Sequence, residues 1–174
     1  MQVILIGEAP SKNWKRGDSP LMGRIGKRLA LLMGTNEYNY RWYTRRENLL
    51  KQWPGSARSN GSAWNARLAA VAARRMEDKG LFTIPDSIVI LLGRRVANAF
   101  HYSRAQWFYE FTRRSFLDGA ALVTVVVAPH PSGANRWWND PKNWNEAARF
   151  WRRIFLKATV ELKNPYCEYY GERR

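Results

Sequence analysis

The chain has 174 residues, which is enough for one domain with a substantial core. It carries 29 Lys and Arg against 14 Asp and Glu, a formal charge of +15 spread along the chain, so a folded basic surface that binds nucleic acid is expected. The single cysteine, Cys167, excludes an intrachain disulfide framework and an all-cysteine metal or iron–sulfur site.

The amino-terminal apolar run, residues 1–6, is too short for a signal peptide, and no stretch approaches the length of a membrane span. One cysteine is also typical of a reducing compartment. We therefore expect a soluble cytoplasmic protein with no membrane association, which works as a monomer without an obligate protein partner.

Strands and helices alternate along the chain. Segments with strand composition are residues 2–6, 42–50, 88–92 and 120–128. Segments with helical composition are residues 20–33, ended by Gly34, then 63–79, 94–101 and 143–158. Residues 103–116 fit a helix or irregular structure equally well. The alternation predicts an α/β sandwich around a mainly parallel sheet, in one domain over residues 1–174 with a loose tail from about residue 159.

The helix predicted over residues 63–79 is alanine-rich and amphipathic. Its pattern places Leu68, Val71 and Met76 on one side and arginines on the other.

Two loops at opposite ends of the chain carry candidate chemistry. Glu8 follows the first strand within a Gly-Glu-Ala-Pro turn, and His130 lies between two prolines directly after the last strand. Prolines bar a helix at His130, and the carboxyl ends of parallel strands are where α/β sheets bind ligands. On these residues alone, Glu8 could instead be a helix-capping carboxylate and His130 an exposed turn residue.

Several motifs occur in a fixed order. They are Gly7-Glu8-Ala9-Pro10, Pro20-Leu21-Met22-Gly23-Arg24-Ile25-Gly26, Asn48-Leu49-Leu50-Lys51, Ile90-Leu91-Leu92-Gly93-Arg94-Arg95-Val96-Ala97 and His130-Pro131-Ser132. Over residues 2–156 the chain resembles the uracil-DNA glycosylase superfamily, most closely the branch whose first motif reads Gly-Glu-Ala-Pro-Gly. The resemblance implies a three-layer α/β/α sandwich with a parallel four-stranded sheet, and a DNA groove at the carboxyl edge of the strands.

The resemblance also implies roles for individual residues. Glu8, with Asp18 as the reserve candidate, would stabilise positive charge on the sugar and orient water, as sugar hydrolysis requires. His130 would hydrogen-bond the departing base. Asn48 would read the Watson–Crick edge of a base flipped out of DNA. The other base-binding residues that it implies are Leu21, Ala9 and Pro10.

DNA contacts are implied for the loop after His130. It matches the segment that enters the minor groove, comprising Ser132, Gly133, Ala134, Asn135, Arg136 and Trp137. In this loop Arg136 could act as a wedge with Trp137 or Trp138, or the tryptophans could pack beneath the loop. Arg24, Arg94 and Arg95 are candidates for phosphate contacts.

The chain also departs from the branch that it resembles. The iron–sulfur cysteines are missing, so no metal or cofactor is expected. Ser11 replaces a glycine, and Leu21 replaces a phenylalanine that stacks on uracil. Losing that ring would weaken stacking by about 1–3 kcal/mol and open the pocket. We therefore hypothesise a monofunctional DNA glycosylase for a bulky modified pyrimidine, such as glucosylated 5-hydroxymethylcytosine in phage DNA, acting in antiviral defence.

Three other functions remain open. The chain could be a uracil-DNA glycosylase of base-excision repair, or a catalytically inert DNA-binding module on the same fold, although binding alone needs neither Glu8 nor His130. A hydrolase or nucleotide-processing enzyme for small molecules is the third. The chain lacks a Walker loop, a nucleophile elbow and a dinucleotide glycine fingerprint, which disfavours that third class.

Overall fold

The computed structural model of the chain describes residues 1–15, 17–55, 64–114, 122–133 and 135–161. Its strands are β1 (Gln2–Gly7), β2 (Thr44–Asn48), β3 (Ser87–Leu92), β4 (Glu110–Arg114) and β5 (Leu122–Ala128). Within these ranges they form one five-stranded sheet in the order β2-β1-β3-β5-β4.

Four strands of the sheet are parallel, as predicted. β1 pairs in parallel with β2 and with β3, and β3 pairs in parallel with β5. β4 is a fifth strand, antiparallel to β5 at the sheet edge. It falls within residues 103–116, which the sequence left open between helix and irregular structure. A charged edge strand lacks the apolar pattern by which a buried strand is recognised.

Helices cover both faces of the sheet. They are α1 (Arg24–Met33), α2 (Glu37–Tyr43), α3 (Ala66–Asp78), α4 (Arg94–Ala99) and α5 (Pro141–Glu161), with a 3-10 helix at Arg136–Asn139. Residues from α1, α2 and α5 form one core cluster with Val3 and Leu5 of β1, and residues from α3 and α4 form the other with Ile4 and Ile6. Because successive strand residues point to opposite faces, both faces are buried and the predicted three-layer sandwich is confirmed.

Helix boundaries agree with the sequence at some positions and differ at others. Gly34 ends α1 in the left-handed conformation, with φ of 70°. α2 was not predicted, because its aromatic and basic residues suggested an extended segment. Asn36 caps it by accepting a hydrogen bond from the backbone of Asn39 at 2.8 Å. α5 continues past residue 158 to Glu161, and residues 162–174 of the expected tail lie outside the described ranges.

The buried side of α3 is formed by small residues. Leu68 is 59% exposed and Val71 is 44% exposed, whereas Ala69 and Ala73 are buried. These alanines, with the partly buried Met76, belong to the core cluster that also contains residues of α4. None of the helices in the described ranges combines the length and apolarity that crossing a bilayer requires.

Candidate active site

The site lies at the carboxyl edge of the parallel strands. Going along the chain, β2 is added on one side of β1 and β3 on the other. The strand order therefore reverses between β1 and β3, and open α/β sheets form their ligand crevice at such a point. Glu8 follows β1, Gly93 follows β3 and His130 follows the neighbouring β5, so all three residues stand at this crevice.

Backbone hydrogen bonds continue the ladder beyond the strand ends and hold the loop of Glu8 in place. The Leu49 amide donates to the Gly7 carbonyl at 2.9 Å, and the Leu50 amide donates to the Glu8 carbonyl at 3.0 Å. The Glu8 side chain is 28% exposed, and its Oε2 lies 3.4 Å from Nη1 of Arg95. The carboxylate is therefore accessible from the crevice and faces a cation on α4.

His130 is held from several directions. Its Nδ1 accepts the backbone N–H of Ser132 at 3.2 Å. Its carbonyl accepts both the indole N–H of Trp138, at 2.8 Å, and the side-chain amide of Asn135, at 3.2 Å. A ring fixed through its own backbone and one nitrogen has little freedom to rotate, so His130 presents one edge to the crevice.

A second layer of contacts anchors the loop of His130 to α1. Arg28 donates to the Pro131 carbonyl at 2.9 Å, and its guanidinium lies 5.4 Å from the ring centroids of Trp138 and of Trp144. Trp138 is only 7% exposed and therefore packs beneath the loop. Trp137 is half-buried, with its ring 5.7 Å from that of Phe108.

The protonation state of His130 follows from its surroundings. Burial lowers the pKa of His130, and the carboxylate of Glu8 raises it to a smaller extent. The net shift is downward, so the ring is neutral at pH 7. Because Nδ1 accepts a hydrogen bond, Nε2 carries the proton of the neutral ring. His130 can therefore donate a hydrogen bond to a ligand oxygen in the crevice.

We expect the His130 ring to titrate below its ordinary value of 6.5. In Glu8→Gln the midpoint should fall further, since the carboxylate that raises this pKa is gone. An unfolded chain binds the proton more readily, so this histidine makes the protein lose stability as pH falls from 6.5 towards the lower folded pKa. An NMR titration of the ring protons measures the midpoint, and a value above 6.5 would contradict the assignment.

A cavity of about 630 Å³ brings the predicted catalytic and base-binding residues together. From the sequence-based predictions it is lined by Glu8, His130, Asp18, Asn48, Leu21, Ala9 and Pro10. Asn48 is the last residue of β2 and is 8% exposed. One oxygen of Asp18 accepts the backbone N–H of Lys15 at 2.8 Å, so this carboxylate also helps to order its own loop.

The residues expected to contact DNA surround the site less compactly. Ser132 and Asn135 line a neighbouring cavity of about 470 Å³ with Glu8, His130 and Arg95. Both ends of the Asn135 amide are already bonded within the loop, to the backbone of Trp137 and to His130. The exposed residues are Arg24 at the start of α1, Gly133 and Arg136, and Ala134 lies outside the described residues.

Sequence reasoning missed the position of Gly93 within the site. A Cβ at this residue would lie 3.2 Å from Cβ of His130 and 3.4 Å from Oε1 of Glu8. Trp14 and Trp53 also line the larger cavity. The turn after β3 was visible in the sequence, but the packing of its glycine between two catalytic candidates has no local signal.

We expect Gly93→Ala to damage stability and base release together. The backbone there has φ of 95° and ψ of 158°, a region that is essentially restricted to glycine, so about 1–3 kcal/mol of strain is expected. The new methyl group would also displace His130. Thermal unfolding and excision assays measure both effects. Gly133→Ala, where a Cβ would meet open space, is the stability control, and an unshifted Tm in Gly93→Ala would contradict the prediction.

The chain matches the family model described as the Uracil DNA glycosylase superfamily over residues 1–154. Comparison with curated proteins gives no significant match. The matched segment includes every described strand and the loops that carry Glu8 and His130. The chain therefore belongs to the uracil DNA glycosylase superfamily, and its domain is that of a DNA glycosylase.

Proposed function

We propose that the protein hydrolyses the N-glycosidic bond of a bulky modified pyrimidine flipped out of DNA, and leaves an abasic site. The observation that supports this most is the single cavity lined by Glu8, His130 and Asn48. A carboxylate can stabilise positive charge on the sugar, and a hydrogen-bond donor can stabilise negative charge on the leaving base. An amide can recognise the edge of the flipped base.

The proposed reaction is the addition of water across the bond between C1′ of the sugar and the base nitrogen. As that bond breaks, its electron pair leaves with the base and positive charge develops on the sugar. Glu8 stabilises this charge and orients the water that attacks C1′. The oxygen of the water bonds to C1′ as a hydroxyl group. The water loses one proton in this step, and that proton neutralises the anion of the departing base.

His130 and Asn48 act on the base in this proposal. The neutral imidazole donates its Nε2 proton to the base carbonyl, where negative charge accumulates during bond cleavage. The Asn48 amide offers one acceptor and two donors to the Watson–Crick edge. Within the described residues its side chain has no hydrogen-bond partner from the protein, so it is free to bind a base.

The preference for a bulky base rests on the size and lining of the cavity. A volume of about 630 Å³ falls in the range of pockets that hold drug-sized ligands, and so leaves room for a substituent on the pyrimidine. Leu21, without an aromatic ring to stack on uracil, lines this cavity. A glucosylated 5-hydroxymethylcytosine of phage DNA has the required bulk, and its removal would serve antiviral defence because an abasic site blocks replication.

We also propose that the enzyme is monofunctional and does not cleave the strand after base removal. Strand cleavage by glycosylases through a Schiff base needs an amine nucleophile such as lysine. Among the described residues that line the 630 Å³ cavity there is no lysine. Borohydride should therefore trap no covalent complex between the protein and DNA, and a trapped complex would contradict this part of the proposal.

A panel of oligonucleotides tests the substrate. Strands carrying uracil, a thymine mismatch, cytosine, 5-hydroxymethylcytosine or its glucosylated form are incubated with the protein and then cleaved with alkali at abasic sites. We expect the glucosylated base to be released fastest. Efficient release of uracil with none of the modified cytosines would favour the repair enzyme instead, and tight DNA binding without any release would favour the inert binding module.

A further inference from the structure

One residue that lines the larger cavity has an unusual backbone conformation. Leu21 has φ of 57°, in the left-handed region that a leucine rarely adopts because its Cβ crowds the following carbonyl. The residue is only 8% exposed and lines the cavity. Strain of this kind persists only where surrounding contacts enforce it, and it is concentrated at functional sites.

Tyr40 of α2 supplies such a contact. Its hydroxyl donates to the Leu21 carbonyl at 2.9 Å, and the tyrosine is completely buried. Burial raises the pKa of Tyr40, which keeps the hydroxyl protonated and able to donate. The Asn36 cap and the helical hydrogen bond from the Tyr40 amide to the Asn36 carbonyl, at 3.0 Å, hold the first turn of α2, and Tyr40 is the buried residue of this helix.

Gly26 allows Tyr40 and Leu21 to meet. A Cβ at Gly26 would lie 3.1 Å from the Leu21 carbonyl oxygen and 3.3 Å from Cε1 of Tyr40. Any side chain there would crowd both partners of the hydrogen bond. The glycine at position 26 of α1 is therefore part of the arrangement that holds Leu21 in its strained conformation.

The held conformation directs the Leu21 side chain onto the sheet edge beside Asn48. A Cβ at Gly7 would lie 2.7 Å from Cδ2 of Leu21 and 2.9 Å from Oδ1 of Asn48. The leucine methyl and the amide oxygen thus stand side by side over the end of β1. A change in the Leu21 backbone would alter the space next to the amide that is proposed to read the base.

We infer that Tyr40 is a positioning residue that acts through Leu21, and that this pair determines which pyrimidine substituents the cavity admits. The substrate part of this inference rests on the proposed function. Without the hydroxyl of Tyr40, Leu21 relaxes towards negative φ and its side chain leaves the place beside Asn48. The cavity then discriminates less between bases of different size.

The test is a double-mutant cycle of wild type, Tyr40→Phe, Leu21→Gly and the double variant. Tyr40→Phe removes only the hydroxyl, and Leu21→Gly removes both the strain and the side chain. The selectivity ratio is kcat/KM for the base of the panel that wild type releases most efficiently, divided by kcat/KM for the base that it releases second most efficiently. We expect Tyr40→Phe to lower this ratio about tenfold in the wild-type background, the scale of one methylene in an apolar pocket, and to leave it unchanged in Leu21→Gly.

A purely structural role for Tyr40 would slow the release of all bases equally, or would change the ratio by the same factor in both backgrounds. Either result would overturn the inference. The free energy of unfolding of the same four proteins is measured with denaturant. If Tyr40 acts through Leu21, the effects of the two substitutions on this free energy must be non-additive. If the wild type releases no base, the proposed function fails while the unfolding cycle still decides the positioning role, and absence of coupling overturns it.

Discussion

His130→Ala should lower the rate of base release by about 100- to 1,000-fold, the effect of removing one preorganised donor from a developing anion. The neutral imidazole of His130 is the donor proposed to meet the base carbonyl, and alanine leaves that charge without a partner in the cavity. DNA affinity should change little, because most of the binding free energy of a basic protein comes from phosphate contacts. Single-turnover kinetics and fluorescence anisotropy measure the two quantities.

The matched control is His101→Asn, at the only other histidine of the chain. His101 is exposed and has φ of 67°, a conformation that asparagine tolerates. This variant should keep the wild-type rate of base release. If His130→Ala released bases as fast as this control, the electrostatic role of His130 would be disproved.

Glu8→Gln should reduce base release by about 100- to 10,000-fold, on the scale of positioned carboxylates in acid–base and electrostatic catalysis. Glutamine keeps the size of the side chain and removes the negative charge that stabilises the sugar cation. The ion pair with Arg95 is lost as well, but it costs little stability because the arginine side chain is 55% exposed. Rates are compared at saturating enzyme so that binding does not limit them.

Glu37→Gln is the control for charge removal. Glu37 lies at the start of α2, outside both cavities described above. Its carboxylate pairs only loosely with Lys27, at 3.9 Å. It should retain activity within about twofold, as expected for an exposed ion pair. The reserve candidate is tested by Asp18→Asn. A larger loss in Asp18→Asn than in Glu8→Gln would transfer the role of water-positioning carboxylate to Asp18.

Much of the fold was predictable because its signals are local. β1, β3 and β5 are apolar runs bounded by turn residues, and Gly34 stops α1 by a conformation that glycine adopts without strain. Where strands lie parallel, the residues that follow them share one edge, so the loops of Glu8 and His130 could be expected to converge. The order of the motifs also identified the superfamily, which the family match over residues 1–154 confirms.

Other features could not be predicted, because they depend on partners distant in the chain. β4 is a charged edge strand that gains its order by pairing with β5. α3 buries Ala69 and Ala73 and leaves the larger Leu68 and Val71 exposed. Apolar content indicates that a helix is amphipathic, but close backbone packing can favour the smaller side chains.

The sequence by itself determined the alternation of strands and helices, the excess of basic residues and the kinds of group at each strand end, because each of these depends on composition and short-range order. Only the tertiary structure decided that Glu8, Asn48 and His130 line one cavity. It also placed Gly93 between Glu8 and His130. It also decided that Tyr40 holds Leu21 in a strained conformation. These arrangements follow from contacts between loops that lie far apart in the chain, and no local pattern specifies such contacts.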